Sequence, residues 1–168
     1  PFDTSLNDLV KRHGDYEKFV VNTIKDISKY TQEDILIRLH PRYTFAFDLD
    51  ILQDIKVKNK LFFSENLNNF NLTNGGEDIY KDFANARVAI SYSSNSLIEA
   101  ICDGVPSISL SKTSHAWPVA YHSLDILKNK QISGFDRSQW LNDCSYTQWK
   151  MSEINSGIVH KRLLMENK

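Results

Sequence analysis

The chain has 168 residues, with 20 lysines and arginines against 21 aspartates and glutamates and a formal net charge of −1. Apolar residues make up 41% and charged residues 24%, which suits a globular chain with a buried core and excludes an intrinsically disordered one. The charge balance supplies no global basic field, so neither nucleic acid nor an anionic membrane is expected as a partner.

No apolar run approaches the roughly 20 residues of a membrane span, and none has the pattern of a signal peptide. Cys102 and Cys144 are the only cysteines and have no metal-ligand spacing. Two such thiols do not suggest a secreted disulfide scaffold, and a reducing, cytoplasmic setting is expected. The first residue is Pro1 rather than Met. The opening reads as a connection, so a domain of a larger protein is expected, peripheral at a membrane only through that parent.

Taken in order, residues 6–30 carry Leu6, Leu9, Val10, Phe19, Val20, Ile24 and Ile27 at helical steps, with an interruption near Gly14. "DILIRLHPR" reads as a strand, with Ile35, Leu36, Ile37 and Leu39 apolar and Pro41 ending it. Its unbroken apolar run predicts burial on both faces, as in a parallel sheet. A helix around residues 48 to 56 follows, then a short strand in "KLFFSEN", a loop rich in Asn and Gly, and a helix in "EDIYKDFANA".

"RVAISY" predicts a third strand, "SLIEAICDG" a helix stopped by Gly104, and "VPSISL" a fourth strand. This alternation predicts an α/β fold with a Rossmann-like, doubly wound parallel sheet. The remainder, about 136–168, reads as two helices joined by a turn, with Trp140 and Trp149 holding it back onto the sheet. One domain over 1–168 is expected.

In such folds ligands sit beyond the carboxyl ends of the strands, where helix N-termini offer free N–H groups. Two segments qualify. After the third strand, Ser93, Ser94 and Ser96 offer hydroxyls to a phosphate, and Glu99 lies one turn into the helix, where it could meet a ribose diol. Ser96 to Glu99 also fits the S-x-x-E capping box, in which the two side chains satisfy orphan helix donors. Capping and ligand binding can coexist at Ser96 and Glu99, with Ser93 and Ser94 left for the ligand.

After the first strand, Pro41 holds His40 extended and stops the ladder, aiming the imidazole at the carboxyl edge. Arg38 and Arg42 flank it on the same side by alternation, and Lys112 and His115 follow the fourth strand. No Walker A or dinucleotide fingerprint is present. His115 and His122 have no carboxylate or Cys to complete a metal site.

"ILIRLHPR", "FANARVAISYSSNSLIEAICDGVPSISL" and the Tyr146 to Trp149 stretch together resemble the C-terminal half of GT-B glycosyltransferases. The resemblance is to the capsular-polysaccharide type, which includes the Kdo transferases, and the HP and serine motifs are similar to those of bacterial GT-B sialyltransferases. It spans most of residues 33 to 160. It implies a donor nucleotide-sugar-binding domain, with a CMP-sugar favoured, in surface polysaccharide or glycan synthesis. His40 and Pro41 would contact the nucleotide, with His40 stabilising the leaving phosphate. Ser93 and Ser94 would bind donor phosphate, with Ser96 nearby, and Glu99 would bind ribose.

No metal or other cofactor is implied. The glycan or lipid-linked acceptor would be met by the N-terminal GT-B half, which this chain lacks, so the isolated chain is expected to be inactive. A sugar-nucleotide 2-epimerase-like domain and a non-catalytic binding or scaffolding domain remain as alternatives.

Overall fold

In a computed structural model of the chain, residues 16–39, 50–64 and 79–166 are described. The chain forms two compact units, Pro1–Phe135 and Asp136–Lys168.

The first unit is mixed α/β. Helix α1, Tyr16–Ile27, carries Glu17 in its first turn and Lys25 in its last, each matched to the helix dipole. Its apolar stripe serves two clusters. Ile24 packs with Ile37, Leu39 and Leu52, and Ile27 packs with Ile108 and Leu127. Strand β1, Ile35–Ile37, leads through the short helix α2, Asp50–Gln53, to the parallel strand β2, Leu61–Phe63, with Leu36 opposite Phe62. Buried Asn59 ties the two strand entrances together, its amide donating to Thr31 O at 3.2 Å and Glu33 O at 2.6 Å.

Helix α3, Ile79–Phe83, then precedes strand β3, Ala89–Ser91. Helix α4, Ser96–Asp103, crosses over to strand β4, Ser107–Ser109. β3 and β4 are parallel, with Ile90 opposite Ile108. The crossover ends at Gly104, whose φ of 94° is the left-handed conformation that costs a side chain most. Its N–H and that of Val105 cap the last turn, reaching Ile101 O and Ala100 O. On β4's other edge Tyr121 forms a parallel bridge with Ile108. A 3-10 turn, Leu124–Lys128, follows.

The described strands therefore form two two-stranded parallel sheets, where the sequence predicts one continuous ladder. β1 and β3 meet through side chains. Ile35 packs against both apolar clusters, and Arg87 pairs with Glu33 at 2.5 Å while donating to Asn129 O at 3.0 Å. The expectation that the first strand is buried on both faces is corrected. Ile37 is buried, but Leu36 is 47% exposed and its neighbour Phe62 is 48% exposed. Three apolar residues in a row record side-chain chemistry, not whether a layer covers each face.

The described residues of the second unit form three helices, not the two predicted: α5, Ser138–Thr147; α6, Met151–Asn155; and α7, Ile158–Glu166. Gly157, at φ 75°, makes the extra break, and Lys150 N–H donates to Glu153 Oε2 at 2.8 Å to start α6. Trp140 is buried. Trp149 faces the Arg162 guanidinium, which lies 5.4 Å from its ring centroid and 4.2 Å from that of Tyr146. Among the described residues no helix is long and apolar enough to cross a membrane.

Two outcomes are expected. Ile108 is fully buried between β3 and the Tyr121 bridge, so Ile108→Ala should cost about 2–5 kcal/mol in denaturant unfolding. Leu36→Ala, at an exposed position, should cost less than about 1 kcal/mol. The second concerns Asp136, whose carboxylate accepts the Ser138 N–H at 3.0 Å. That backbone bond, with help from the Ser138 hydroxyl, holds the Asp136 pKa below its ordinary 3.8. A depressed folded pKa means the bond's contribution is present above the unfolded value and is lost as pH falls through the folded one. A carboxyl NMR titration should place Asp136 below 3.8, and Ser138→Ala should move it part of the way back.

Candidate functional site

The serine segment lies at the carboxyl end of β3 and runs directly into α4. Tyr92 anchors it from below, buried and packed edge-on against Phe19 of α1, with ring centroids 5.4 Å apart. Above that anchor the serines form a ladder. Ser91 Oγ accepts from the Ser94 N–H at 3.1 Å. Ser94 Oγ accepts from the Ser96 N–H at 3.2 Å and from the Ser96 hydroxyl at 2.8 Å. The Ser94 carbonyl takes the Leu97 N–H at 3.1 Å, and the Asn95 carbonyl takes those of Ile98 and Glu99.

The N-cap position is Asn95, which is already helical and makes no side-chain cap bond; Ser94 caps in its place, its oxygen satisfying the orphan Ser96 N–H two residues on. The predicted capping box between Ser96 and Glu99 is corrected: the Ser96 N–H goes to Ser94, the Glu99 N–H goes to Asn95 O, and Ser96 Oγ donates instead of accepting. The reading that Ser94 has no structural duty is corrected with it. A serine two residues earlier reaches the same helix end.

This leaves an uneven division. Ser93 is half-buried, and its hydroxyl has no hydrogen bond to any described residue; the N–H groups of Ser93 and Asn95 likewise have none. Ser94 has both acceptor positions filled and keeps its own hydroxyl proton to donate. The loop thus presents two backbone N–H groups and two hydroxyl donors at a helix N-terminus, a suitable set for a phosphate oxygen. Glu99 is exposed on the first turn of α4.

The segment after β4 lies beside this loop, because the Leu110 N–H donates to Ser91 O at 2.9 Å. It is a second serine-built turn. Ser109 Oγ donates to Ser111 O, Ser111 Oγ accepts the Thr113 N–H, and Ser114 Oγ accepts the Ala116 N–H. Lys112 and His115 are exposed on it, and Lys112 forms no ion pair with a described residue. The fold thus brings the serine motif and the Lys112 segment to one sheet edge.

Arg38 is placed differently. Just beyond β1, its guanidinium pairs with Asp82 of α3 at 2.7 Å and donates to Ser64 Oγ, while Ser64 also donates to Asp82. The charge is partly neutralised and ties β1, β2 and α3 together. His40, Pro41 and Arg42 lie outside the described residues.

Two residues singled out by the structure had no assigned role in the sequence reading. Trp117 and His122 stack face to face, centroids 3.5 Å apart and planes 3° from parallel. Nothing in their spacing announces this, because it depends on the turn between them. Among the described residues no group of three His, Cys, Asp or Glu could hold a metal ion. A cleft of about 630 Å³ lies elsewhere, between the end of α1 and the turn before β2, with Lys29, Lys56 and Lys58 on its walls. It contains none of the candidate residues.

No protein-family profile, curated protein or solved structure matches the chain.

The capping assignment has a direct check. Ser94→Ala should lower stability by about 1 kcal/mol through loss of the cap, whereas Ser93→Ala should stay within about 0.5 kcal/mol of the unaltered chain. Denaturant unfolding of both variants reads the difference.

Proposed function

We propose that the chain is the donor-binding half of a GT-B glycosyltransferase: a Rossmann-like domain that holds the nucleotide of a sugar donor, with a CMP-sugar favoured. The observation that carries this reading is the serine loop. It offers uncommitted Ser93 donors and the unpaired Asn95 N–H at the carboxyl end of a parallel strand, where a β-α-β unit receives phosphate. The resemblance of residues 33 to 160 to the capsular-polysaccharide type points to the same edge. The break between the two described sheets falls between β1 and β3; in this reading the two strands are neighbours in one layer, supported by the shared Ile35 packing and the Arg87–Glu33 pair.

In this reading Ser93 and the Ser93 and Asn95 N–H groups hold the donor phosphate. Ser94 caps α4 and adds its remaining proton. Glu99 accepts from the ribose hydroxyls, and Lys112, across the edge, contributes positive charge. His40 and Pro41 keep the nucleotide-contacting role that the resemblance implies. The chemistry assigned to this half is stabilisation of the departing nucleotide phosphate by fixed N–H dipoles and cationic side chains, which act without reorganising as charge develops. The acceptor and the activating base belong to a second half.

Isothermal titration with CMP, UDP and GDP tests the proposal. Binding of at least one is expected, and Ser93→Ala should weaken it about fivefold to tenfold while leaving the unfolding midpoint unchanged. Failure of all three to bind would remove the reading.

A further inference from the structure

We infer that Trp117 and His122 form the platform on which the base of the bound nucleotide stacks; the inference rests on the donor-nucleotide reading and names the part of the site that would hold the base. The stack is tightly fixed. A carbonyl can only accept, so His122 Nε2 carries a proton and donates it to Trp117 O at 2.9 Å. That bond sets the imidazole flat against the indole. Trp117 is half-buried and His122 exposed, so the outward face of the pair is the imidazole ring.

The strand register places this platform near the serine loop. The Ser109 N–H donates to Tyr121 O and the Tyr121 N–H to Ser107 O, both at 2.8 Å, so Tyr121 extends the row of Ile90 and Ile108. The next residue, His122, falls in the row of Ser109 and Ser91. Ile90, Ile108 and Tyr121 all pack on one face. By alternation His122 takes the other face, where Ala89 meets Ala100 of α4. That is the face on which α4 and its serine loop begin. Two interstrand spacings of about 4.8 Å separate His122 from Ser91 along that row, and Ser91 holds the serine loop through the Ser94 N–H. A nucleotide with its phosphate on Ser93 and its base turned toward β4 reaches His122 along the sheet edge.

The support under the platform is rigid as well. The Tyr121 hydroxyl donates to Ser133 O at 2.9 Å, and its ring lies against Phe135. The Ser114 carbonyl accepts the Trp117 N–H at 3.0 Å. A flat ring presented in this way needs no ordering when a base arrives, and stacking accepts any base because each has a π-face.

The test compares Trp117→Ala, His122→Ala and Trp117→Phe with the unaltered chain. The probes are CMP, UDP and GDP, together with ribose 5-phosphate, which keeps the phosphate and lacks the base. Trp117→Ala and His122→Ala should each weaken nucleotide binding about tenfold and leave ribose 5-phosphate unchanged, while Trp117→Phe keeps most of the nucleotide affinity. Thermal melting identifies any variant that has lost its fold, and His122→Ala, at an exposed position, keeps the test open if Trp117→Ala does not fold. Unchanged nucleotide binding in both alanine variants, or an equal loss for ribose 5-phosphate, overturns the platform alone. Absence of nucleotide binding in the unaltered chain overturns the donor-nucleotide reading and the platform with it.

Discussion

The burial of β4 is the constraint on which the first unit depends. Ser107, Ile108 and Ser109 are all buried, so this short strand must pair its backbone on both edges and satisfy two serine hydroxyls as well. It does so with β3 on one side and Tyr121 on the other. Ser107 turns back to Val105 O and Ser109 reaches forward to Ser111 O. Once β4 is held in this way, the loops that follow β3, β4 and Tyr121 emerge along one edge, and that edge is where every described candidate group except Arg38 is found.

The serine loop shows how one residue type can build a helix start and still leave donors uncommitted. Ser91, Ser94 and Ser96 bond to one another and to the start of α4. Their interactions hold Ser93 and the Asn95 N–H in place without using them. A hydroxyl is suited to this because it accepts two bonds and donates one. An apolar residue at position 94 would leave the helix end uncapped, and a longer polar one would fill the space over the unpaired N–H groups. The same economy appears after β4, where Ser111 and Ser114 build the turn that ends in the Trp117–His122 stack.

The charged residues divide by the partners they find. Arg38, Ser64 and Asp82 bond to one another and join the ends of β1 and β2 to α3. Arg87 joins the start of β3 to that of β1 and to the carbonyl end of the 3-10 turn. Of the two arginines, Arg87 is the one that links the two short sheets, across a gap that no described backbone ladder closes. Glu33 is more than half exposed, so its pair with Arg87 contributes more to alignment than to stability.

Much of the framework was legible in the sequence because it follows from local rules. Apolar periodicity marks α1 and α4, short apolar stretches bounded by turn residues mark the four strands, and Gly104 stops α4 because only a residue tolerant of positive φ fits that position. The candidate site was legible as a place: a serine-rich break at a strand's carboxyl end. The division of labour within it was not. S-x-x-E fits a capping box at Ser96 as well as an isolated sequence can, but the choice between Ser94 and Ser96 depends on where the backbone leaves β3. Arg38 read as a candidate ligand contact because its partner Asp82 is distant in sequence. Leu36 read as buried because hydrophobicity does not report what lies above a strand. The Trp117–His122 stack required a single bridge at Tyr121, too short to leave a periodic pattern. The sequence by itself determined where the described strands and the helices α1 and α4 would form and where serines would gather, since these depend on near neighbours. Only the tertiary structure decided which donors are occupied, which charges are paired and which rings meet, since those depend on segments brought together from far apart in the chain.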